Sequence, residues 1–189
     1  MTHQSNQFAI SIMSRDRIGI IAEVSGAISE LEGDIADLRQ SVLRGYFTMI
    51  LLASFPAAVA AEQVTQRLTA LSVEGKPALD IAVRPANDAA AADAPGVPDN
   101  AYVLTASGPD RIGFVATVSS FCAQNAINIL DLSTAVDDGT YIMMLLVDLS
   151  RCNDLGALRD KLNAFGQEMG FSVVLQHYDI FRATNEIKK

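Results

Sequence analysis

Ser14-Arg-Asp-Arg-Ile-Gly19 and Gly108-Pro-Asp-Arg-Ile-Gly113 are the same short segment, met twice at a separation of 94 residues. The match extends well beyond them. From Phe8/Tyr102 to Ala53/Val147 the two halves align without a gap, and 15 of 46 positions are identical, among them Ala22/Ala116, Val24/Val118, Ile35/Ile129, Asp37/Asp131, Gly45/Gly139 and Leu51/Leu145. A repeat of this size must be settled before any fold is assigned, because it says that one structural unit occurs twice. Between the copies runs a stretch with Pro85, Pro95, Pro98 and the alanines from Ala89 to Ala92, without apolar periodicity, which reads as a linker. The expected organisation is a domain at 7–84, a linker at 85–100 and a second domain at 101–183, each domain about 80 residues long.

Inside each copy the apolar period alternates between two and nearly four. Phe8, Ile10 and Ile12 alternate as in a strand, and Tyr102 and Leu104 repeat the pattern. Ile21, Val24, Ile28 and Leu31 then step as on a helix, as do Val115, Val118 and Cys122, with Gly33 and Asn125 placed to supply a left-handed exit. Two strands follow at about 35–43 and 46–54, joined at Arg44-Gly45-Tyr46; the second copy has Asp138-Gly139 there, a strong hairpin signal. Val64, Leu68 and Leu71 mark a second helix, matched by Leu155, Leu158, Leu162, Phe165 and Met169. Strands around Leu79, Ile81, Val83 and around Phe171, Val173, Leu175 close the copies.

The order βαββαβ predicts an α+β fold made of two ferredoxin-like domains, each an antiparallel sheet with its helices on one face. Phe47, Met49 and Leu51 point one way from the third strand and Ile50 and Leu52 the other, so both faces look apolar; Tyr141, Met143, Leu145 and Ile142, Met144, Leu146 do the same. A strand apolar on both sides is expected to be buried on both, which predicts a homodimer or two domains packed on each other.

Composition narrows the function. Half of the residues are hydrophobic and the net charge is −8, too apolar for a disordered chain and too acidic for one that grips nucleic acid directly. Neither copy hides a basic module: 7–84 carries 7 positive and 9 negative groups, 101–183 carries 5 and 9. Control of genes would therefore run through a protein partner. The mostly apolar stretch Met49 to Ala61 is broken by Ser54 and Pro56 and is too short to span a membrane, and the N-terminal residues lack the charged flank and apolar run of a secretory signal, so a cytoplasmic location is expected. Cys122 and Cys152 cannot build a disulfide framework.

The repeated segment carries the chemistry. It joins the first strand to the first helix, where unpaired N–H groups and the positive end of the helix dipole favour an anion such as a carboxylate. Gly19 and Gly113 let a ligand approach the backbone, and Asp16 and Asp110 are placed to accept a hydrogen bond from an ammonium group. One loop thus offers contacts to both ends of an α-amino acid. The alternative is that each Asp caps its helix and each Gly only serves packing. Arg17 and Arg111 recur, yet an exposed arginine in that position equally pairs with a surface carboxylate, and Asp37 and Asp131, mid-strand, read as structural.

Taken together, the paired βαββαβ units, the Asp-Arg-Ile-Gly loops and the Asp34-Ile35 or Asn128-Ile129 dipeptide opening the second strand resemble the ACT domain, a module that senses small molecules. Two such domains without a catalytic domain are similar to the glycine cleavage system transcriptional repressor group. The resemblance implies a ligand at an interface between domains, touching the loop and a polar residue that opens the second strand of a neighbour. Carried over, the contacts are Asp110, Gly113 and Asn128 in the second copy and Asp16, Gly19 and Asp34 in the first. Asp34 would place a carboxylate near the ligand's own, which is unfavourable, so the second copy is the preferred site. Ser14 and Gly108 also differ, so two sites need not share a ligand.

Direct catalysis is not expected. The only histidines are His3, near the terminus, and His177, on the last strand; Cys122 reads as core and Cys152 as a surface thiol. No zinc spacing and no phosphate or dinucleotide motif occurs, so neither metal nor cofactor is expected. The residues and the resemblance point to a regulatory protein that binds a small amino acid such as glycine or serine and acts through a protein partner. A ligand-free interaction module and a detached regulatory subunit of a metabolic enzyme are the alternatives.

Overall fold

The computed structural model describes residues 5–73, 75–86 and 97–185. The chain forms two compact units, Met1–Ala94 and Pro95–Lys189. The first contains β1 (Ser5–Arg15), α1 (Ile20–Glu30), β2 (Asp34–Leu43), β3 (Tyr46–Pro56), α2 (Ala61–Thr69) and β4 (Asp80–Pro85). The second contains β5 (Ala101–Pro109), α3 (Phe114–Gln124), β6 (Asn128–Asp137), β7 (Thr140–Asp148), α4 (Leu155–Met169) and β8 (Ser172–His177), followed by α5 (Tyr178–Asn185). Each is a βαββαβ domain with a four-stranded antiparallel sheet, ordered β2-β3-β1-β4 and β6-β7-β5-β8. The helix α5 has no counterpart in the first unit and was not expected from the sequence.

Alternation explains the strands and their burial. Phe8, Ile10 and Ile12 of β1 and Phe47, Met49, Leu51, Ala53 and Phe55 of β3 lie buried on one face, against Ile20, Val24, Ala27 and Ile28 of α1 and Val64 and Leu68 of α2. In the second unit Leu104, Ala106, Met143, Leu145 and Val147 meet Phe114, Val118, Phe121 and Cys122 of α3 and Leu158 and Leu162 of α4. Each fully buried aliphatic side chain of this size contributes about 2 kcal/mol. Within a single chain the opposite face of the third strands is less covered. Ile50 is 56% exposed and Met144 38%, while Leu52, Ile142 and Leu146 are only half-buried.

Turn geometry corrects the expected helix exits and agrees with the expected hairpins. The residues leaving the first helix of each unit in the left-handed region are Glu32 (φ 56°) and Ala126 (φ 55°), not Gly33 and Asn125. Gly33 is required for space: a Cβ there would stand 2.5 Å from the Phe55 ring and 2.8 Å from Ile28. The hairpins place both central residues at positive φ, Arg44 and Gly45 at 50° and 79°, Asp138 and Gly139 at 44° and 73°, the twist that suits tight antiparallel pairs. Asp37 and Asp131 follow β-bulges at Ala36 and Leu130, and each carboxylate accepts the N–H of the next residue, at 2.8 and 2.9 Å. Their repetition is therefore structural.

Of the expected linker, residues 87–96 lie outside the described residues, as does His3. Its ends belong to the domains: Pro85 completes β4 and the Ala86 N–H donates to the Gln7 carbonyl at 2.8 Å, while Ala101 donates to Pro98 at 2.9 Å. Among the described residues no helix is long and apolar enough to cross a membrane.

Candidate functional site

The repeated segment becomes a turn of four residues, shorter than the sequence indicated, because β1 runs on to Arg15 and β5 to Pro109. Asp16 and Asp110 each donate their backbone N–H to the hairpin glycine of their own unit, Asp16 to the Gly45 carbonyl at 3.0 Å and Asp110 to the Gly139 carbonyl at 3.2 Å. This bond explains why Gly45/Gly139 and Asp16/Asp110 recur together: the hairpin holds the turn in place. Gly19 and Gly113 then take the cap position of α1 and α3 with φ of 95° and 89°, a conformation that glycine adopts without strain. Neither helix has a side-chain cap, so the reading of Asp16 and Asp110 as caps is overturned. Their carboxylates meet no hydrogen-bond partner among the described residues. In the second unit the Phe114 N–H donates to the Arg111 carbonyl at 3.3 Å; the other N–H groups of the first helical turn are left for water or for a ligand.

The turns differ in what stands beside the glycine. In the first unit the Arg17 guanidinium makes two bonds to Glu23, at 2.9 and 2.6 Å, and Lys76 reaches the same carboxylate at 2.8 Å. Glu23 Oε1 lies 3.7 Å from where a Cβ on Gly19 would stand. In the second unit Thr117 takes the place of Glu23, and no atom beyond the chain neighbours lies within 4 Å of the corresponding point on Gly113. Arg111 turns away, donating to the Met169 carbonyl at 2.7 Å with its guanidinium over the Phe171 ring. Ser14 and Gly108 do not distinguish the sites: the Ser14 hydroxyl is buried and bonded to the Ala78 carbonyl at 2.9 Å, and Gly108 lies under Phe171, 2.8 Å from a would-be Cβ.

The bonds to Arg17 and then to Lys76 hold the Glu23 carboxyl at about 2, below its ordinary 4.5. A group whose folded value is depressed adds stability above its unfolded value and loses it as pH falls through the folded one. The melting-temperature gap between wild type and Glu23→Gln is therefore expected to be constant above about pH 5 and to close between pH 4.5 and 2; a gap that does not change over that range contradicts the pairing.

The strand-opening residues Asp34 and Asn128 are exposed, but they do not adjoin the turns of their own units. Asn128 pairs with Asp148, which pairs with Ala101 at the start of β5, whereas Asp110 follows the far end of that strand. The separation is roughly 25 Å at strand rise per residue. Asp34 and Asp16 are divided in the same way. No single unit brings the two groups of candidate residues together.

Register also reveals a residue that sequence reading missed. Asn128 faces Asp148 across the ladder, and Asp34 faces Ser54, the counterpart of Asp148. Each unit thus carries one carboxylate at this position, on opposite strands. The charge contrast drawn between Asp34 and Asn128 is accordingly weaker than the dipeptides alone implied. Asp148 is held below the ordinary carboxylate range, first by the Ser150 hydroxyl and then by the Ser150 N–H at 2.8 Å. The signal lies in the repeat pair Ser54/Asp148, where one copy has a hydroxyl and the other a carboxylate.

Other candidates fall into structural roles. Cys122 is buried and its thiol is pushed up to about 11 by desolvation; Cys152 is partly buried, with Sγ 3.5 Å from the Asp154 carbonyl. His177 contacts the Asp99 carbonyl at 3.2 Å and the edge of Tyr102. Among the described residues no group of three or more His, Cys, Asp or Glu is arranged to hold a metal ion.

Comparison with known proteins agrees with this architecture. A family model of the ACT domain matches residues 6–81 and 100–176, once per unit. A UPF0237 protein of Methanocaldococcus jannaschii is 40% identical over 86 residues, covering 45% of this chain and 96% of the relative; one of Methanopyrus kandleri is 41% identical over 86 residues with the same coverage. These relatives are about one repeat long. Among solved structures, an unknown protein from Galdieria sulphuraria is similar over 92% of this chain and 98% of its own, with a TM-score of 0.67 and 25% identity. A protein described as a candidate glycine cleavage system transcriptional repressor shares the fold over 91% and 96%, with a TM-score of 0.61 and 16% identity.

Proposed function

We propose, from the premise that this chain belongs to the ACT-domain family, that it is a regulatory protein which binds a small amino acid at the turn of its second repeat and passes the state of that site to a protein partner. The observation that carries this reading is the open turn at Gly113. It combines a left-handed glycine with nothing over it, an uncapped helix end and the unpaired Asp110 carboxylate. The helix end suits the ligand's carboxylate and Asp110 its ammonium group. A small amino acid such as glycine or serine is the proposed ligand, and the name given to one fold relative agrees with glycine and with transcriptional control of glycine cleavage.

Asn128 completes the site from a second copy, since within one domain it stands at the opposite end of the sheet from the turn. The protein is then a homodimer whose ligand bridges two chains, and binding stabilises one arrangement of the chains over others by the difference in affinity between them. With a net charge of −8 it reaches genes only through a partner.

A second reading has its own observation. Ile18 and Ile112, at the tips of both turns, are 101% and 106% exposed, a repeated apolar contact point that suits a protein surface rather than an amino acid. A thermal-shift screen of the twenty amino acids separates the readings. Glycine or serine is expected to raise the melting temperature, since a ligand bound only by the folded state stabilises it. If none of the twenty does, the protein is an interaction module.

A further inference from the structure

We infer that the Glu23 carboxylate is a built-in occupant of the first turn, standing where the second repeat leaves room for an external carboxylate, so that each chain takes one amino acid rather than two. The stoichiometry rests on the ligand reading above; the occupancy of the first turn does not.

Both turns are built alike up to the glycine: the same Asp-Arg-Ile-Gly sequence, the same tie to the hairpin, and φ within a few degrees. They part at the fourth residue of the helix. Glu23 folds back toward Gly19, with Oε1 3.7 Å from the side-chain position, and Thr117 leaves that volume empty. Glu23 is also fixed there rather than merely near. Arg17, its side chain only 14% exposed, clamps the carboxylate with two bonds, and Lys76 closes it from the segment between α2 and β4. The second repeat has lost this clamp along with the acid, and Arg111 is engaged elsewhere. A carboxylate from outside would meet Glu23 as a like charge at close range in the first turn and no such charge in the second. The first repeat thus keeps the turn as a fixed structural element, and the second keeps it as a receptor.

Removing Glu23 should expose a site with two unmatched cations, Arg17 and Lys76. In the full chain, Glu23→Ala is expected to melt lower than wild type, and acetate, at constant ionic strength against chloride, is expected to raise its melting temperature by about 3 °C more than that of the wild type. Equal shifts in the two proteins would overturn the occupancy of the first turn. Calorimetry with glycine or serine then counts sites: one per wild-type chain and two per Glu23→Thr chain, the variant that copies the second repeat. Two sites in the wild type, or one in a folded Glu23→Thr, would overturn the inference. If Glu23→Thr does not fold, the wild-type count alone still decides. No binding by wild type would remove the ligand reading, and the acetate comparison would continue to test the occupancy of the first turn.

Discussion

Alanine at Asp110 or at Asn128 is expected to weaken binding of the responsive amino acid by about 10- to 100-fold in calorimetry, the effect of losing one hydrogen bond to a charged group. Neither residue is buried or bonded to another side chain, so the melting temperature of the unliganded protein should hold. The stronger test uses their separation. Because the two residues lie at opposite ends of one sheet, a two-fold dimer builds each site from Asp110 of one chain and Asn128 of the other. Co-expressing Asp110→Ala and Asn128→Ala chains should give heterodimers with one intact site and one doubly altered site. With random pairing, about a quarter of all sites recover full affinity. No recovery in purified heterodimers would remove the second copy from the site.

The fold was readable because repetition and period agree. Ile10, Val24, Leu51 and Val64 were placed on the correct elements by spacing alone, and the second copy checked each assignment in the first. What escaped was conformation that no pattern announces. Gly33 reads as a helix exit because glycine favours the left-handed region, yet Glu32 holds that conformation and Gly33 answers to Phe55, a residue 22 positions away in sequence. Helix α5 lacks a repeat to compare with, and its short apolar pattern gave little warning. The two-sided apolar third strands were legible, but not that one side stays open in a single chain.

The candidate turns were legible as chemistry and illegible as geometry. Sequence supplied Asp16, Gly19, Asp110 and Gly113, but the difference between Glu23 and Thr117 has meaning only once the side chain is seen to fold back on Gly19. Likewise Asn128 stands out through its dipeptide, while Asp148, its neighbour across the ladder, becomes visible through register. Sequence alignment of the repeats therefore locates equivalent positions; pairing and side-chain direction decide which differences bear on a ligand.

Gly33→Ala is expected to destabilise the first unit by about 1–3 kcal/mol, because the added methyl group enters the volume held by Phe55 and Ile28 and overpacks the core there. The backbone of Gly33 is not left-handed, so the penalty is one of contact and not of φ. The second repeat shows how the conflict is relieved. At the positions of Gly33, Phe55 and Ile28 it has Ile127, Leu149 and Cys122, all buried: the glycine has gained a side chain, and both of its neighbours have become smaller. Phe55→Leu alone should cost about 1–2 kcal/mol for lost contacts. The double variant Gly33→Ala, Phe55→Leu should then fall well short of the sum of the singles, since the methyl occupies space that the ring has left, with a coupling of about 1 kcal/mol in a urea-unfolding double-mutant cycle. Additive losses would mean that the two repeats reached their packing independently, and that Gly33 is kept small by something other than the Phe55 ring.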